Sequence, residues 1–434
     1  MVTATPAPQP PLETTARIRT DPFPNRGHIG AEEKAAVEAF LNRVLADGLL
    51  PAYDGEEERA YCTEFAAYLG GGYADAVSSG SAAVYVALKA LQLEPFSEVI
   101  VGAFTDPGGM MPIPLLNLIP MIADAVPDSY NTGPAQVAAL ISPRTSAIVV
   151  PHIAGDPADI VGVMAVARQH GLPVIEDCAQ AHGARVNGQL VGTFGDLMAM
   201  STMGGKHHST GPQGGVVFTK EEALYHEVRR ASDRGKPFFL PPGSTNVTAS
   251  LNFNLNDLAA TIGRVQLRKL PESIRRRQAI AAQLREGLAD LPAVTMQPPQ
   301  PGVESSHWFL PLKFHADQAR STKVDFCAAL RAEGLTVQTD YRGGLPHTHD
   351  WFVNRRVFGT SGYPWASPDY HGDPDQHFPC PNAHAMLESH FNLLFHENWS
   401  SCEVDDAIAI FHNVSIRKFP VPAGSRPNFR IETK

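Results

Sequence analysis

Two short stretches of this chain carry residues whose types and spacing could do chemistry. Glu176-Asp177-Cys178-Ala179-Gln180-Ala181-His182-Gly183 places an acidic pair at the end of the apolar run Pro173-Val174-Ile175. Ser201-Thr202-Met203-Gly204-Gly205-Lys206 places a lysine in a glycine-rich loop that continues through Gly211, Gly214 and Gly215. A carboxylate at the carboxyl end of a buried strand faces the crevice where α/β sheets bind ligands. Alone it reads as a strand-end cap or one half of an ion pair. Its chemical use is to hold a cofactor's ring nitrogen protonated, so that the ring becomes an electron sink. A lysine on a glycine loop is by default a solvated surface group. Here the strand-like Leu197 to Ser201 precedes it and Gly214 to Thr219 follows. That sets Lys206 near a sheet, where burial lowers a lysine's pKa and makes it a Schiff-base nucleophile. The adjoining His207 and His208 read as structural or substrate-side groups, since the lysine itself can shuttle a proton.

A third stretch, Ser79-Gly80-Ser81, opens a helix. Small residues with free N–H groups at a helix N-terminus make an anion site, and the plain alternative is an N-cap. No Gly-Lys-Ser/Thr pattern supports a P-loop. His-Glu-x-x-His, Gly-x-Ser-x-Gly and Gly-x-Gly-x-x-Gly are all missing. The 17 histidines are mostly isolated, and His347-Thr348-His349 reads as loop, so no metal ligands are assigned.

The elements that must position these groups alternate. Ala31 to Leu45 and Glu57 to Leu69 have helical apolar spacing, the second closed by Gly70-Gly71-Gly72. Strands are expected at Tyr73–Val77, Glu98–Val101, Pro120–Ala123, Ser146–Val150 and Pro173–Asp177, with helices at Ala82–Leu93 and Ile160–His170 between them. Apolar strands separated by helices mean a mostly parallel sheet with helices on both faces. Beyond about residue 265 the texture changes: a long helix over Arg264–Leu291 carries Arg275-Arg276-Arg277, then come a Pro-rich connector, a strand over Trp308–Phe314 and a helix over Val324–Glu333. The expected division is a flexible N-terminal arm over 1–26, a large domain over 27–265, a small α+β domain over 266–418 and a tail over 419–434.

The bulk numbers agree. A chain of 434 residues is too long for one ordinary core and suits two domains. A net charge of −10 argues against a nucleic-acid or anionic-membrane partner. Five scattered cysteines, Cys62, Cys178, Cys327, Cys380 and Cys402, give neither a disulfide framework nor a zinc site and fit a reducing cytoplasm. No stretch resembles a signal peptide or a membrane span.

The order of these motifs, with Asn252 and Asp257 following the lysine, resembles the DegT-type sugar and cyclitol aminotransferase family. These are fold-type I pyridoxal-phosphate (PLP) enzymes of the aspartate aminotransferase superfamily. The resemblance runs from about Gly27 to Phe411, with support at Asp124, Tyr130-Asn131, His152, Gly155 and Cys380-Pro381-Asn382. It implies a large PLP-binding domain built on a seven-stranded, mostly parallel sheet, beside the smaller α+β domain. It implies that Lys206 carries the Schiff base and Asp177 pairs with the pyridine nitrogen. Gln180 would sit against the ring or its 3-hydroxyl, and Gly80, Ser81 and Ser201 would hold the phosphate. Asn252 would reach the phosphate of a neighbouring subunit, in a homodimer with shared active sites. His307 and Tyr341 fall where the family places substrate-side residues. The implied reaction is ping-pong transamination from glutamate or glutamine to a keto-sugar or keto-cyclitol, in sugar or secondary-metabolite biosynthesis. Cys380-Pro381 and Asn392 to His396 lean towards the cyclitol and aminohydroxybenzoate-type members.

The chain departs from the pattern in several places. Asp106 follows Thr105 where the family has an aromatic residue on the PLP ring, so Phe104 or another group must cover it. Asn254 replaces an arginine, Gln213 a glutamate and Cys178 an alanine. The Asp106-Pro107-Gly108-Gly109 loop leaves elimination, dehydration or C–C chemistry on the same fold as the alternative reaction. A non-catalytic protein on this fold, or an α/β enzyme of other chemistry, is disfavoured because Lys206, Asp177 and Ser201 are all retained.

Overall fold

The computed structural model describes residues 17–417 except 49, 51 and 320. The tail expected over 419–434 and residues 1–16 of the arm lie outside the described residues. The central sheet has seven strands. Its parallel body is β2 (Glu98–Gly102), β3 (Ile119–Ala123), β4 (Thr145–Pro151), β5 (Val174–Asp177) and β8 (Leu197–Ser201), and β9 (Gly215–Thr219) runs antiparallel between β8 and β1 (Tyr73–Val77). The order is β1-β9-β8-β5-β4-β2-β3. Strands such as Val-Ile-Glu-Asp and Glu-Val-Ile-Val-Gly are buried throughout, as expected when helices cover both faces. A ribbon of β6 (Arg185–Val186), β7 (Gln189–Leu190) and β11 (Val303–Glu304) lies apart. A second sheet, β10-β12-β14-β13, pairs Val294–Met296, Leu310–Phe314, His390–Leu393 and Val337–Gln338.

The helices around the central sheet are α1 (Ala31–Asp47), α2 (Glu56–Tyr68), α3 (Gly80–Ala90), α4 (Pro107–Met110), α5 (Pro112–Leu115), α6 (Pro134–Ala138), α7 (Ile160–His170) and α8 (Glu222–Ser232). Then comes α9 (Asp257–Gly287), 31 residues long. Expected and observed boundaries differ where caps decide them. Helix α3 starts at Gly80 because the Ser79 side chain accepts the Ala82 N–H at 3.1 Å, and it ends at Ala90 although apolar spacing continues to Leu93. Helix α9 starts at Asp257 rather than Arg264 because Asn256 accepts the Ala259 N–H at 2.9 Å. The boundary expected at 265/266 lies inside α9. Strand β12 starts at Leu310 rather than Trp308 because Trp308 N–H is drawn to the Ala154 carbonyl at 2.7 Å.

Two separate apolar clusters are buried. One fills both faces of the seven-stranded sheet; the other joins the second sheet to the C-terminal half of α9 and the helix Ser401–Ile416. Leu270, Ile274, Arg277, Ala281 and Leu284 lie on the buried side of α9. Residues 17–26 lie against the C-terminal part of the chain: Arg19 pairs with Glu403 and Asp406, and Phe23 packs 4.8 Å from Trp399. Among the described residues, no helix is long and apolar enough to cross a membrane.

Candidate active site

Strands β1, β2, β5 and β8 point the same way, so their carboxyl ends share one edge of the sheet. That edge gathers Ser79-Gly80-Ser81 after β1, Phe104 to Asp106 after β2, Asp177 at the end of β5 and Ser201 at the end of β8. Gly80 sits directly on Ser201: a Cβ there would lie 2.5 Å from the serine Cβ. As first residues of α3, Gly80 and Ser81 have N–H groups with no intrahelical carbonyl to reach, and they face the helix-end field that favours an anion. Gly108 of α4 packs on Ser81 just as closely, with room for no side chain before Ser81 Oγ at 2.1 Å.

Asp177 is buried, and its Oδ1 accepts the Ala179 N–H at 3.0 Å. Burial pushes its pKa up, opposed by that hydrogen bond and by the charge of Lys206. Thr105 Oγ1 is buried with no hydrogen-bond partner among the described residues, and it faces Gly109 together with Asp177 Oδ2. Gln180 is clamped: its Oε1 accepts the Ala154 N–H at 3.1 Å and its Nε2 donates to Tyr341 Oη at 2.7 Å. Phe104 stands edge-on to Tyr130 and Tyr341, with centroids 4.7 and 5.3 Å away. Asp106 stays exposed, and its Oδ1 caps α4 through the Gly108 N–H at 2.9 Å. Its charge acts on Lys206, Asp177 and Tyr341.

Lys206 is 6% exposed. Its Nζ lies 3.9 Å from the centroid of the Trp308 ring, and the indole N–H donates to the Gly205 carbonyl at 3.0 Å. Burial lowers the lysine pKa to about 8, against the opposing charges of Asp177 and Asp106. The loop around it is pinned from below. Arg26 donates to the carbonyls of Lys206 and His207 at 2.7 and 3.1 Å. His182, His207 and His208 pack together, the first two 3.0 and 3.1 Å from the Ser201 and Ser306 carbonyls and the third 2.7 Å from Tyr61 Oη. Burial lowers all three imidazole pKa values, that of His208 to about 3. They are neutral supports at physiological pH and add no charge beside the lysine.

The acidic block divides in two. Asp177 faces the site, whereas Glu176 accepts the N–H groups of Gly192, Phe194 and Gly195 at 2.7 to 2.8 Å and meets His152 Nε2 at 3.1 Å. His152 Nδ1 accepts the Ala158 N–H at 3.0 Å. Cys178 lies within metal-ligating distance of both, but these lone pairs are already engaged and the group braces the loops after β4 and β5. All five cysteines are free thiols.

Lys206, Asp177, Gln180, Tyr341, Gly80, Ser81 and Ser201 thus gather at one edge. Of the other two predicted site residues, Asn252 is expected at a neighbouring subunit's phosphate and His307 on the substrate side. Asn252 is exposed in a bridge to Asp233, and its Oδ1 accepts from Asn254. His307 takes the left-handed region at φ 48°, and Ser305 Oγ lies 2.9 Å from its Nδ1. The neighbouring Trp308 takes the place over the lysine. The structure also adds Arg277, buried at the middle of α9, which pairs with Glu397 at 2.8 Å and donates to the His307 and Trp308 carbonyls. Its place on the apolar stripe of α9 was the available signal.

PLP, implied by the resemblance, needs an amine, an anion for its ring nitrogen and a phosphate cradle. The partnerless Thr105 Oγ1, the Asp177 carboxylate, the unpaired first N–H groups of α3 and the desolvated Lys206 amine fit that demand.

A model of the DegT/DnrJ/EryC1/StrS aminotransferase family matches residues 29–367. An aminotransferase from Psychrobacter cryohalolentis is similar in structure, with a TM-score of 0.79 and 26% identity, covering 91% of this chain and 98% of that one. DesI, solved in the presence of its TDP-sugar product, gives 0.77 and 25% identity over 93% and 95% of the two chains. 3-Amino-5-hydroxybenzoic acid (AHBA) synthase gives 0.76 and 26% over 90% and 98%.

Proposed function

Because the chain belongs to the DegT/DnrJ/EryC1/StrS aminotransferase family, and so is a PLP-dependent transaminase, we propose that it aminates a keto-sugar or keto-cyclitol with Lys206 as its catalytic amine. The single observation that carries the site is the Lys206 amine, desolvated under Trp308 on a loop facing Asp177. Bound there, PLP supplies an aldehyde and an electron-accepting ring.

Lys206 would supply the nucleophilic amine that holds the cofactor and, when free, the base that moves a proton. A pKa of about 8 leaves a useful fraction of free amine near neutral pH, the condition for both roles. Asp177 holds the ring nitrogen protonated. Gln180 cannot rotate, because Ala154 and Tyr341 hold both ends of its amide, so it offers a fixed face to the ring. The N-terminus of α3, with Ser81 and Ser201, holds the phosphate dianion. Trp308 keeps water from the amine. Asp106, where the family carries an aromatic residue, would offer a carboxylate on this edge that suits a hydroxyl-rich acceptor.

The acceptor class rests on the relatives: DesI was solved with a TDP-sugar product and AHBA synthase makes an aminohydroxybenzoate. The exposed Asn252 is free to reach a second copy, as a homodimer with shared sites requires. The test is a half-reaction. Glutamate or glutamine added to the holoenzyme should remove the visible Schiff-base absorbance and yield pyridoxamine phosphate, and a keto-sugar or ketocyclitol should restore it. An unchanged spectrum with both donors refutes the proposal.

A further inference from the structure

A second cavity, of about 300 Å³, lies between the loop after β4, the Pro-rich connector and the C-terminal half of α9. None of Lys206, Asp177, Gln180 or Tyr341 lines it, but His307 does. The segment Ser305 to Trp308 is therefore a wall with two faces: Trp308 covers Lys206 on one side and His307 borders the cavity on the other.

Arg285 and Asp156 both line this cavity. Arg285 Nε is buried with no hydrogen-bond partner among the described residues. Burial lowers the Arg285 pKa, opposed by the Asp156 charge, and raises that of Asp156 to about 6, opposed by a hydrogen bond from Ser305 and by the Arg285 charge. Yet no ion pair joins them. A recessed cation and a recessed anion left apart are costly unless a ligand satisfies both. Met296, Pro298, Pro299 and Leu310 add apolar surface to a lining that also holds Asp128, Gln278 and Glu304. The volume sits at the small end of the roughly 300–1,000 Å³ of ligand pockets.

We propose that this cavity binds a free α-amino acid, with its carboxylate on the Arg285 guanidinium, its ammonium on the Asp156 carboxylate and its side chain against the connector. The ligand's two charges match the recessed Arg285 and Asp156 charges, which no ion pair joins and which a simple anion or a neutral sugar would not both satisfy. This site is separate from the transamination site, and the test keeps the two apart.

The holoenzyme is reduced with borohydride, which ties the cofactor to Lys206 and removes the active site as a competitor. The twenty protein amino acids are then titrated singly by calorimetry. At least one should bind with one equivalent per chain, while its N-acetyl derivative and its methyl ester should each bind about tenfold more weakly or worse. Arg285→Ala and Asp156→Asn should each lose about tenfold or more in affinity, with the visible spectrum before reduction confirming that each variant folds and holds its cofactor. The proposal is overturned if none of the twenty binds, if the N-acetyl derivative binds as well as the parent, or if both variants bind unchanged. A protein that borohydride cannot label at Lys206 would instead refute the reading of that lysine.

Discussion

Replacing Lys206 by methionine should stabilise the apo-protein at neutral pH, although it removes the proposed catalytic amine. The side chain is 6% exposed, and burial takes its pKa from 10.5 to about 8, a difference worth about 3 kcal/mol. The folded chain therefore binds fewer protons than the unfolded chain between pH 8 and 10.5, so the wild type gains stability as pH rises through that window. Below pH 8 the full cost is present; above 10.5 it is gone. Methionine is of similar length, fills the space under Trp308 and has no charge to desolvate. Two terms oppose the gain. The contact of the ammonium with Trp308 is worth about 1 kcal/mol, and Asp177 loses a cation that lowers its own pKa. The net expectation is about 1–2 kcal/mol in favour of Lys206→Met at pH 7, shrinking to nothing or reversing above pH 10.5. Urea denaturation of both apo-proteins at pH 7, 9 and 10.5 measures it. A variant less stable than wild type at pH 7, or a difference that does not change with pH, would refute the claim that the lysine is held desolvated.

Other perturbations separate the parts of the site. Trp308→Ala should admit water to Lys206 and raise the midpoint pH of cofactor loading by about one unit, because burial is the largest cause of the depressed pKa; a lowered midpoint would mean that the ring's attraction outweighs its exclusion of water. Asp177→Asn removes a charge-assisted partner worth about 1.5–3 kcal/mol, so the cofactor's Kd should rise about 10- to 100-fold in a spectral titration, and an unchanged Kd would place the ring nitrogen elsewhere. Gly108→Ala forces a Cβ to within 2.1 Å of Ser81 Oγ; cofactor affinity should fall at least about tenfold with little change in thermal midpoint, and normal loading would put the phosphate away from α3. Arg277→Ala leaves Glu397 buried with a partner missing and should cost about 3–5 kcal/mol, read as a drop in denaturation midpoint; a loss under 1 kcal/mol would show that Arg26 alone satisfies the carboxylate.

What was legible in the sequence was local. Buried strands read as apolar runs, and chemistry-bearing residues at their ends read as site residues, because a parallel sheet delivers every strand's carboxyl end to one edge. Asp177 and Lys206 were legible in this way, as was the Ser-Gly-Ser helix start proposed to hold a phosphate. Helix starts were less legible where a cap competes with apolar periodicity, as at Asn256, whose side chain starts α9 a full turn and more before the apolar pattern becomes clear.

The groups that make Lys206 unusual were not legible, because each comes from far along the chain and has an ordinary reason to be where it is. A tryptophan after a histidine in a strand-like run predicts a packed aromatic, not a cover for a lysine about a hundred residues earlier. The decisive event is backbone geometry: the Gly155 carbonyl accepts the Ser306 N–H and the Ala154 carbonyl the Trp308 N–H, and His307 between them takes a positive φ. That turn leaves the histidine bordering the second cavity and the indole on the amine. Arg277 then holds the carbonyls of both from below. Its charge could be read in the Arg275-Arg276-Arg277 run, and its direction in the spacing of Leu270, Ile274, Ala281 and Leu284, since a cation on an apolar helix face must find a buried carboxylate. Glu397 could not be chosen from the sequence among many exposed acids. The Lys206 amine is thus placed by a local motif, but its depressed pKa is set by tertiary contacts that no local pattern encodes.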